Sequence, residues 1–248
     1  MEKPCLVRRL GIIDYETAWQ LQEKLAAQIA AGERPATLLL LEHPHTYTFG
    51  RRGHSENLLW DEAELNRRGI QVYWVDRGGD VTYHGPGQLV GYPLIPLAAS
   101  GMILDNTSDN LHLPQTDYVG YVRRLEQTII LTLASLNLPA FQVEGMTGVW
   151  VKNEKAETDP SELPVAKIAA IGVKVDAKGV SRHGFALNVN PDMSYWEGII
   201  GCGLAGYRVT CLANILDPVP TMLTVTEAVM RAFAEIYQFE INEEELPT

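Results

Sequence analysis

The sequence predicts an α+β domain, and three observations carry that prediction. Apolar segments with helical period and apolar segments of strand length intermix from one end of the 248-residue chain to the other. They do not follow the strict strand–helix–strand alternation of a doubly wound parallel sheet. With 46% hydrophobic and 21% charged residues, the composition is that of a folded globular protein and excludes disorder, coiled coil and collagen. A chain of this length can bury most of its unfolded surface, and no repeat or low-complexity tract divides it. We read residues 1–240 as one domain and 241–248 as an acidic tail that frays.

The elements follow in order. Asp14 is placed to cap a helix running to about Ala31, with Gly32 at its end and Ala18, Leu21, Leu25 and Ile29 on one stripe. Thr37–Leu41 is an apolar run of strand length. Asp61, with Glu64 three residues on, resembles a capping box opening a short helix that Gly69 stops. Gln71–Val75 and Gln88–Leu94 read as strands. The longest helix is expected from Thr116 to Asn137, on the period of Tyr118, Val122, Leu125, Ile129 and Leu133. Strands are expected at Gly148–Lys152, Lys167–Val175 and Phe185–Val189. Thr224 with Glu227 is expected to cap a last helix carrying Val225, Val229, Phe233 and Ile236. Ala99–Gln115 and Asn153–Pro164 read as insertions or mobile loops.

Charge and cysteine content narrow the function. Lys+Arg number 20 against Asp+Glu 31, a net charge of −11, which argues against a nucleic-acid binder. No run of eighteen apolar residues exists, so no membrane span is expected, and the N-terminus lacks the apolar core of a secretion signal. Cys5, Cys202 and Cys211 form no CxxC pair, which fits a reducing compartment, with cytoplasm the default, and offers no metal site.

The most unusual stretch is Arg77-Gly78-Gly79-Asp80-Val81-Thr82-Tyr83-His84-Gly85-Pro86-Gly87-Gln88. Four glycines and a proline in twelve residues argue against regular structure there, although apolar strands flank it. Such a loop brings backbone close to a ligand, with Arg77 and His84 as polar handles. It is neither a GxxxxGK[ST] phosphate loop nor a helix-opening GxGxxG. In Gly201-Cys202-Gly203 a thiol sits between glycines whose N–H groups would face a developing oxyanion; the alternative is a small buried hydrophobe. The second reading suits Cys5 and Cys211. Lys167 heads the apolar run Ile168–Val173 and either snorkels from a sheet edge or takes part in chemistry. His183 is either catalytic or a satisfied structural residue.

The segments RGGDVTYHGPGQLVGYPL, AKIAAIGVKV, HGFALNVNPD and GCGLAG, in this order, resemble the lipoyl(octanoyl) transferase family, from roughly Leu10 to Ile215. The resemblance implies a biotin/lipoate ligase-like α+β domain, a mixed sheet backed by helices. It implies an acyltransferase that moves an octanoyl group from acyl carrier protein to a lysine of a lipoyl domain, the first step of endogenous protein lipoylation. Cys202 matches the family's acyl-carrying cysteine and Lys167 its assisting lysine, with His84 or His183 as alternative bases. Substrate contacts carry over to Arg77, Gly78, Gly79, Asp80, Val81, Thr82, Tyr83 and His84, to Ala170, Ile171 and Gly172, and to Gly184, Phe185 and Ala186. The implied partners are acyl carrier protein and the lipoyl domains of 2-oxoacid dehydrogenases and of glycine cleavage H protein. No cofactor is implied, because the acyl group arrives on the carrier's phosphopantetheine. The family usually has proline before the cysteine; this chain has Gly201.

An acyl tunnel is expected to use small strand residues such as Ala169, Ala170, Val173 and Leu187. Three rival activities share parts of this pattern: an ATP-dependent lipoate or biotin ligase, an acyl-carrier thioesterase, and a non-catalytic domain that binds acylated carriers.

Overall fold

In the computed structural model the described residues are 3–97, 118–153, 159, 163–201 and 207–244. Among them the chain forms β1 (Lys3–Ile12), α1 (Tyr15–Ala30), β2 (Ala36–Glu42), β3 (Thr46–Phe49), α2 (Glu62–Arg67), β4 (Gln71–Trp74), β5 (Val81–His84) and β6 (Gln88–Leu94). Then come α3 (Tyr118–Ser135), β7 (Phe141–Val143), β8 (Met146–Lys152), β9 (Val165–Val175), β10 (Ser181–Asn188), β11 (Arg208–Val209), α4 (Met222–Tyr237) and β12 (Phe239–Glu243). The large sheet runs β12-β1-β2-β6-β10-β9-β8-β7 with β11 added beside β9, and β4-β3-β5 form a second, small sheet. The large sheet is mixed: β1 is parallel to β2 and β12, whereas β6 is antiparallel to β2 and β10. The expected α+β architecture, a mixed sheet backed by helices, is what the chain adopts.

Residue type explains the layering. In β2, Leu38 and Leu40 enter the core under α3 and α4, while Leu39 and Leu41 enter the core under α1. A strand covered on both faces needs this unbroken apolar run. Tyr121, Leu125, Ile129 and Leu133 of α3 meet Val225, Val229 and Phe233 of α4 on the first face, and Ala18, Leu25 and Ile29 of α1 cover the second. Tyr47 and Phe49 of β3 with Val81 and Tyr83 of β5 form a third core behind the small sheet.

The caps at Asp14 and Asp61 form as expected, each side chain accepting from the backbone N–H three residues on. Four differences have physical reasons. The segment Val81–His84 is a strand, because its glycines lie outside it and Val-Thr-Tyr-His alternates between two faces. The last helix is capped by Thr221, which accepts from Thr224 N, so Thr224 lies inside the first turn. Of the expected tail 241–248, residues 241–243 belong to β12, which pairs with β1 and buries Phe239, and 245–248 lie outside the described residues. β3, β7 and β11 are short, and β1 buries only Cys5 and Val7, so its place comes from pairing with β2 and β12 and not from its own pattern. The expected insertion Ala99–Gln115 lies outside the described residues. That at Asn153–Pro164 is closed at its base, where Asn153 N donates to Pro164 O at 2.9 Å.

Glu244, just past β12, accepts from Arg8 Nε and Nη2 at 2.8 and 2.7 Å and also pairs with Arg34. The bonds from Arg8, then those from Arg34, outweigh partial burial and draw its carboxyl down to about 2 from 4.5. A depressed carboxyl contributes stability above its unfolded pKa and loses it as pH falls through the folded one. Glu244→Gln is therefore expected to cost about 1 kcal/mol at pH 7. The gap to wild type should close between pH 4.5 and about 2 in urea titrations. A gap independent of pH would mean that the ion pairs do not hold the strand.

Candidate active site

The site lies where the small sheet crosses the large one. Cross-strand pairs Thr48–Thr82 and Thr46–His84 put a polar face on the small sheet, opposite the side that carries Tyr47, Phe49, Val81 and Tyr83. Facing it, β9 and β10 present small residues, with Ala170 paired to Ala186 and Gly172 to Gly184. The missing side-chain volume leaves an open, partly apolar cavity between the two sheets.

This cavity gathers most residues expected from sequence: Arg77, Gly79, Thr82, His84, Ala170, Ile171, Gly172, His183, Gly184, Phe185 and Ala186 all line it, with Tyr15 and Tyr92 added. Of the expected substrate-contact residues, the other four do other things. Gly78 N donates to Val173 O at 2.9 Å, so the loop crosses β9 there. Asp80 accepts from Val81 N, His54 N and Asn57 Nδ2, tying the loop to residues 54–57. Val81 and Tyr83 are core residues of the small sheet. Of the expected tunnel residues, Ala170 lines the cavity, Leu187 is buried under α3 and α4, and Val173 packs against that same core.

Arg77 is buried, its Nη2 donating to Thr48 O at 2.6 Å and Thr48 Oγ1 at 2.9 Å, and its Nη1 to Gly78 O at 2.9 Å. A Cβ on Gly172 would stand 3.0 Å from Arg77 Cδ and from Gly78 O, so a larger residue there would push the loop outward by a few tenths of an ångström. His84 is also buried. Desolvation, then the nearby His43 and Arg77, hold its ring well below the usual histidine range, so it is neutral.

His183 adopts a left-handed backbone, φ 56°, a strained choice for a non-glycine residue. The strain is held by its N–H on Gln22 Oε1 at 2.7 Å and its Nε2 on Asp76 Oδ1 at 2.8 Å. Asp76 is the hub of a charged cluster with Lys174 and Arg182. Against its burial, bonds from His183 and Lys174 and the Arg182 charge keep its carboxyl below the usual range. Nothing in the sequence pointed to Asp76, which ties the loop after β4 to the β9–β10 hairpin about a hundred residues later.

Lys167 lines a smaller, tighter neighbouring cavity with Gln88, Ala169, Asn188, Trp196 and Val209; Ala170 and Ala186 belong to both cavities. Lys167 sits at an irregularity in β9, where Val149 pairs with Ala169 but the next residue, Trp150, pairs with Lys167. Such bulges re-aim side chains. The side chain lies over Gly148: a Cβ there would be 2.5 Å from Lys167 Cε and 2.7 Å from Ala169 O. Gly148 N in turn donates to the fully buried Glu126 at 2.9 Å. Lys167 Nζ lies 5.4 Å from the centre of the Trp150 ring.

His183 pairs with Val173, six residues along β9 from Lys167, a separation of about 20 Å at about 3.3 Å per residue. The two are at opposite ends of the trough. Cys202 lies outside the described residues, but both flanks are described. Gly201 abuts Trp196, a Cβ there standing 3.1 Å from Trp196 Cζ3, and Trp196 lines the Lys167 cavity. On the other side, Val209 pairs with Lys167 itself. Cys5 and Cys211 are buried; burial raises both thiols, that of Cys5 to about 12.

Residues 14–234 match the lipoyl protein ligase A/B catalytic domain family. The chain is 42% identical over 240 residues to an octanoyltransferase of Chloroflexus aurantiacus, covering 97% of each chain. It is 44% identical over 237 residues to an octanoyltransferase of Solibacter usitatus, covering 96% of this chain and 94% of the relative. Among solved structures, a bi-partite lipoate protein ligase of Thermoplasma acidophilum, studied with its E2 lipoyl domain, superposes with a TM-score of 0.68. It is 18% identical and the alignment covers 100% of this chain and 88% of that one, a likeness that shows the lipoate ligase catalytic fold. With the family match spanning most of the chain and the near relatives sharing one name, the chain belongs to the octanoyltransferases, acyltransferases of the lipoyl protein ligase A/B catalytic domain family.

Proposed function

We propose that this chain transfers an octanoyl group from octanoyl-acyl carrier protein to a lysine of a lipoyl domain through a thioester on Cys202, without a cofactor. The observation that carries the reading is the pair of cavities sharing Ala170 and Ala186, with Lys167 at one end and the small-residue trough at the other. From Lys167 to Gly172 the trough follows five residues of β9, about 16 Å. An acyl chain lying there has its thioester end near Lys167. At about 0.8 kcal/mol per buried CH₂, eight carbons gain on the order of 5 kcal/mol, enough to hold the thioester in place.

In the first half-reaction the Cys202 thiolate attacks the donor's thioester carbon. The carbon–sulfur bond to pantetheine breaks, and the leaving thiolate takes a proton from Lys167. In the second, the acceptor lysine's amine attacks the Cys202 thioester, neutral Lys167 takes the amine proton, and the Cys202 thiolate leaves as the amide forms. The approximately 20 Å between His183 and Lys167 favours Lys167 over His183 as the base. The buried and raised thiols of Cys5 and Cys211 favour Cys202 as the nucleophile.

The names of the relatives supply the acyl group, and the lipoyl domain studied with the archaeal ligase supplies the acceptor class. The test is incubation with octanoyl-acyl carrier protein and a lipoyl domain in the absence of ATP, followed by intact mass of each protein. An octanoyl adduct on the enzyme, chased onto the lipoyl domain, is expected. Transfer that appears only with ATP makes the chain a ligase; loss of the acyl group to water makes it a thioesterase. No adduct and no turnover leaves carrier binding alone.

A further inference from the structure

Seven buried residues join the two cavities through an unbroken series of hydrogen bonds. Arg77 Nη2 donates to Thr48 Oγ1 at 2.9 Å, and Thr48 Oγ1 is 3.4 Å from His84 Nε2. His84 Nδ1 meets Gln88 Oε1 at 2.8 Å, Gln88 Nε2 donates to Asn188 Oδ1 at 2.9 Å, and Asn188 Nδ2 donates to Thr210 O at 3.0 Å. Thr210 N then donates to the carbonyl of Lys167 at 2.9 Å. Each of these seven residues is at most 7% exposed.

The direction of every bond is settled from the far end. Thr210 O only accepts, so the Asn188 amide presents its NH₂ there and its oxygen to Gln88. Gln88 must then donate from Nε2, which also donates to Tyr83 O at 3.0 Å, another group that only accepts. Its oxygen is left facing His84, so His84 carries a proton on Nδ1; because the buried ring is neutral, Nε2 keeps a lone pair and accepts from the Thr48 hydroxyl. Thr48 accepts in turn from Arg77, a cation with donors only. Two backbone carbonyls thus fix two amide orientations, one histidine tautomer and one hydroxyl, and all donors point from Arg77 toward Lys167. Bonds aligned in this way polarise one another in a buried setting.

We propose that Gln88 and Asn188 are positioning residues: through this one-way chain they hold His84 as the Nδ1–H tautomer on the acyl cavity and hold the peptide of Lys167 at its irregular place in β9. His84, with both ring nitrogens committed, shapes the cavity and takes no proton. The kinetic part of the proposal rests on the function proposed above, since it concerns the step at Lys167; the tautomer does not.

Two measurements test it. The first uses the unmodified protein labelled with ¹⁵N-histidine. His84 should show a protonated Nδ1 and an unprotonated Nε2, unchanged from pH 6 to 8; an Nε2–H tautomer or an imidazolium in that window overturns the chain. The second is single-turnover acylation by octanoyl-acyl carrier protein. Gln88→Glu puts an oxygen against Tyr83 O and Asn188 Oδ1, and Asn188→Asp puts one against Thr210 O. Each should slow acylation about tenfold while the donor KM stays within about twofold. The Q88E/N188D pair should lose no more than the worse single change, because either one severs the same chain. Wild-type rates, additive losses, or losses confined to KM overturn the positioning role. If the wild-type enzyme forms no acyl-thioester at all, the proposed function fails, while the histidine spectrum still decides the tautomer.

Discussion

Cys202→Ser should form no acyl-enzyme and should lose transfer by roughly a thousandfold or more, the scale on which removal of a covalent nucleophile is felt. Cys5→Ser and Cys211→Ser should keep turnover near wild type. The contrast follows from burial. Cys5 is fully buried between β1 and the helices, and its thiol is pushed up to about 12. Only the thiolate is a competent nucleophile, so neither buried sulfur competes at neutral pH. Cys5→Ser places a hydroxyl in an apolar core and should cost about 1–3 kcal/mol of stability. Melting curves and specific activity separate that loss from a catalytic one. Intact mass and peptide mapping after exposure to octanoyl-acyl carrier protein complete the test: an octanoyl adduct on Cys5 or Cys211 would remove Cys202 from the mechanism.

Lys167→Met should damage the second half-reaction more than the first, and the reason is quantitative. A thiol of pKa about 8.5 is about 3% ionised at pH 7, and lowering it to about 6.5 raises this to about 76%. That gain is at most about twenty-five-fold, and part is lost because weaker bases are weaker nucleophiles. The acceptor lysine, at about 10.4, lies about 3.4 units above pH 7, a cost of roughly 4.6 kcal/mol for the free amine. A base near the thioester has more to relieve there.

The methionine variant should therefore form the Cys202 octanoyl thioester tens-fold slowly and then hold it. Transfer to a lipoyl domain should fall further still. Raising pH to about 9 should restore acylation well and transfer only in part. Lys167→Arg should match the methionine variant in transfer, since arginine keeps its charge and does not act as a base. Rapid-quench mass spectrometry resolves both steps. Equal losses, both rescued at pH 9, would reduce Lys167 to thiolate activation.

Much of the fold is legible because it is local. Asp14 and Asp61 cap helices through their own next turn, and the four leucines of β2 announce a strand covered on both faces. Elements whose stability comes from a distant partner were harder to see. β12 exists because β1 offers it a parallel edge more than 230 residues earlier, as in the pairing of Lys3 with Phe239. Its acidic composition suggested a tail. β5 was hidden by the glycines on either side of it, which act at its ends and leave Val81–His84 free to alternate.

For the site, the sequence alone determined which residue types are present and which motifs carry them: the glycine-rich loop, the Lys167 strand, the His183 segment and a cysteine between glycines. Local order and side-chain chemistry suffice for that. Only the tertiary structure decided what each residue does. The register of β9 against β10 aligned Ala170 with Ala186 and Gly172 with Gly184, and so opened the cavity. The same register put His183 at the opposite end of the trough from Lys167. Thr48, Asp76, Gln88 and Asn188 gained their places because buried polar groups must find partners; Gln88 finds His84 four residues away, but the other partners lie on strands and loops distant in the chain. Hydrogen-bond satisfaction of that kind joins local and distant groups: the orientation of Gln88, and with it the tautomer of His84, is set by the nearby carbonyl of Tyr83 together with the distant one of Thr210.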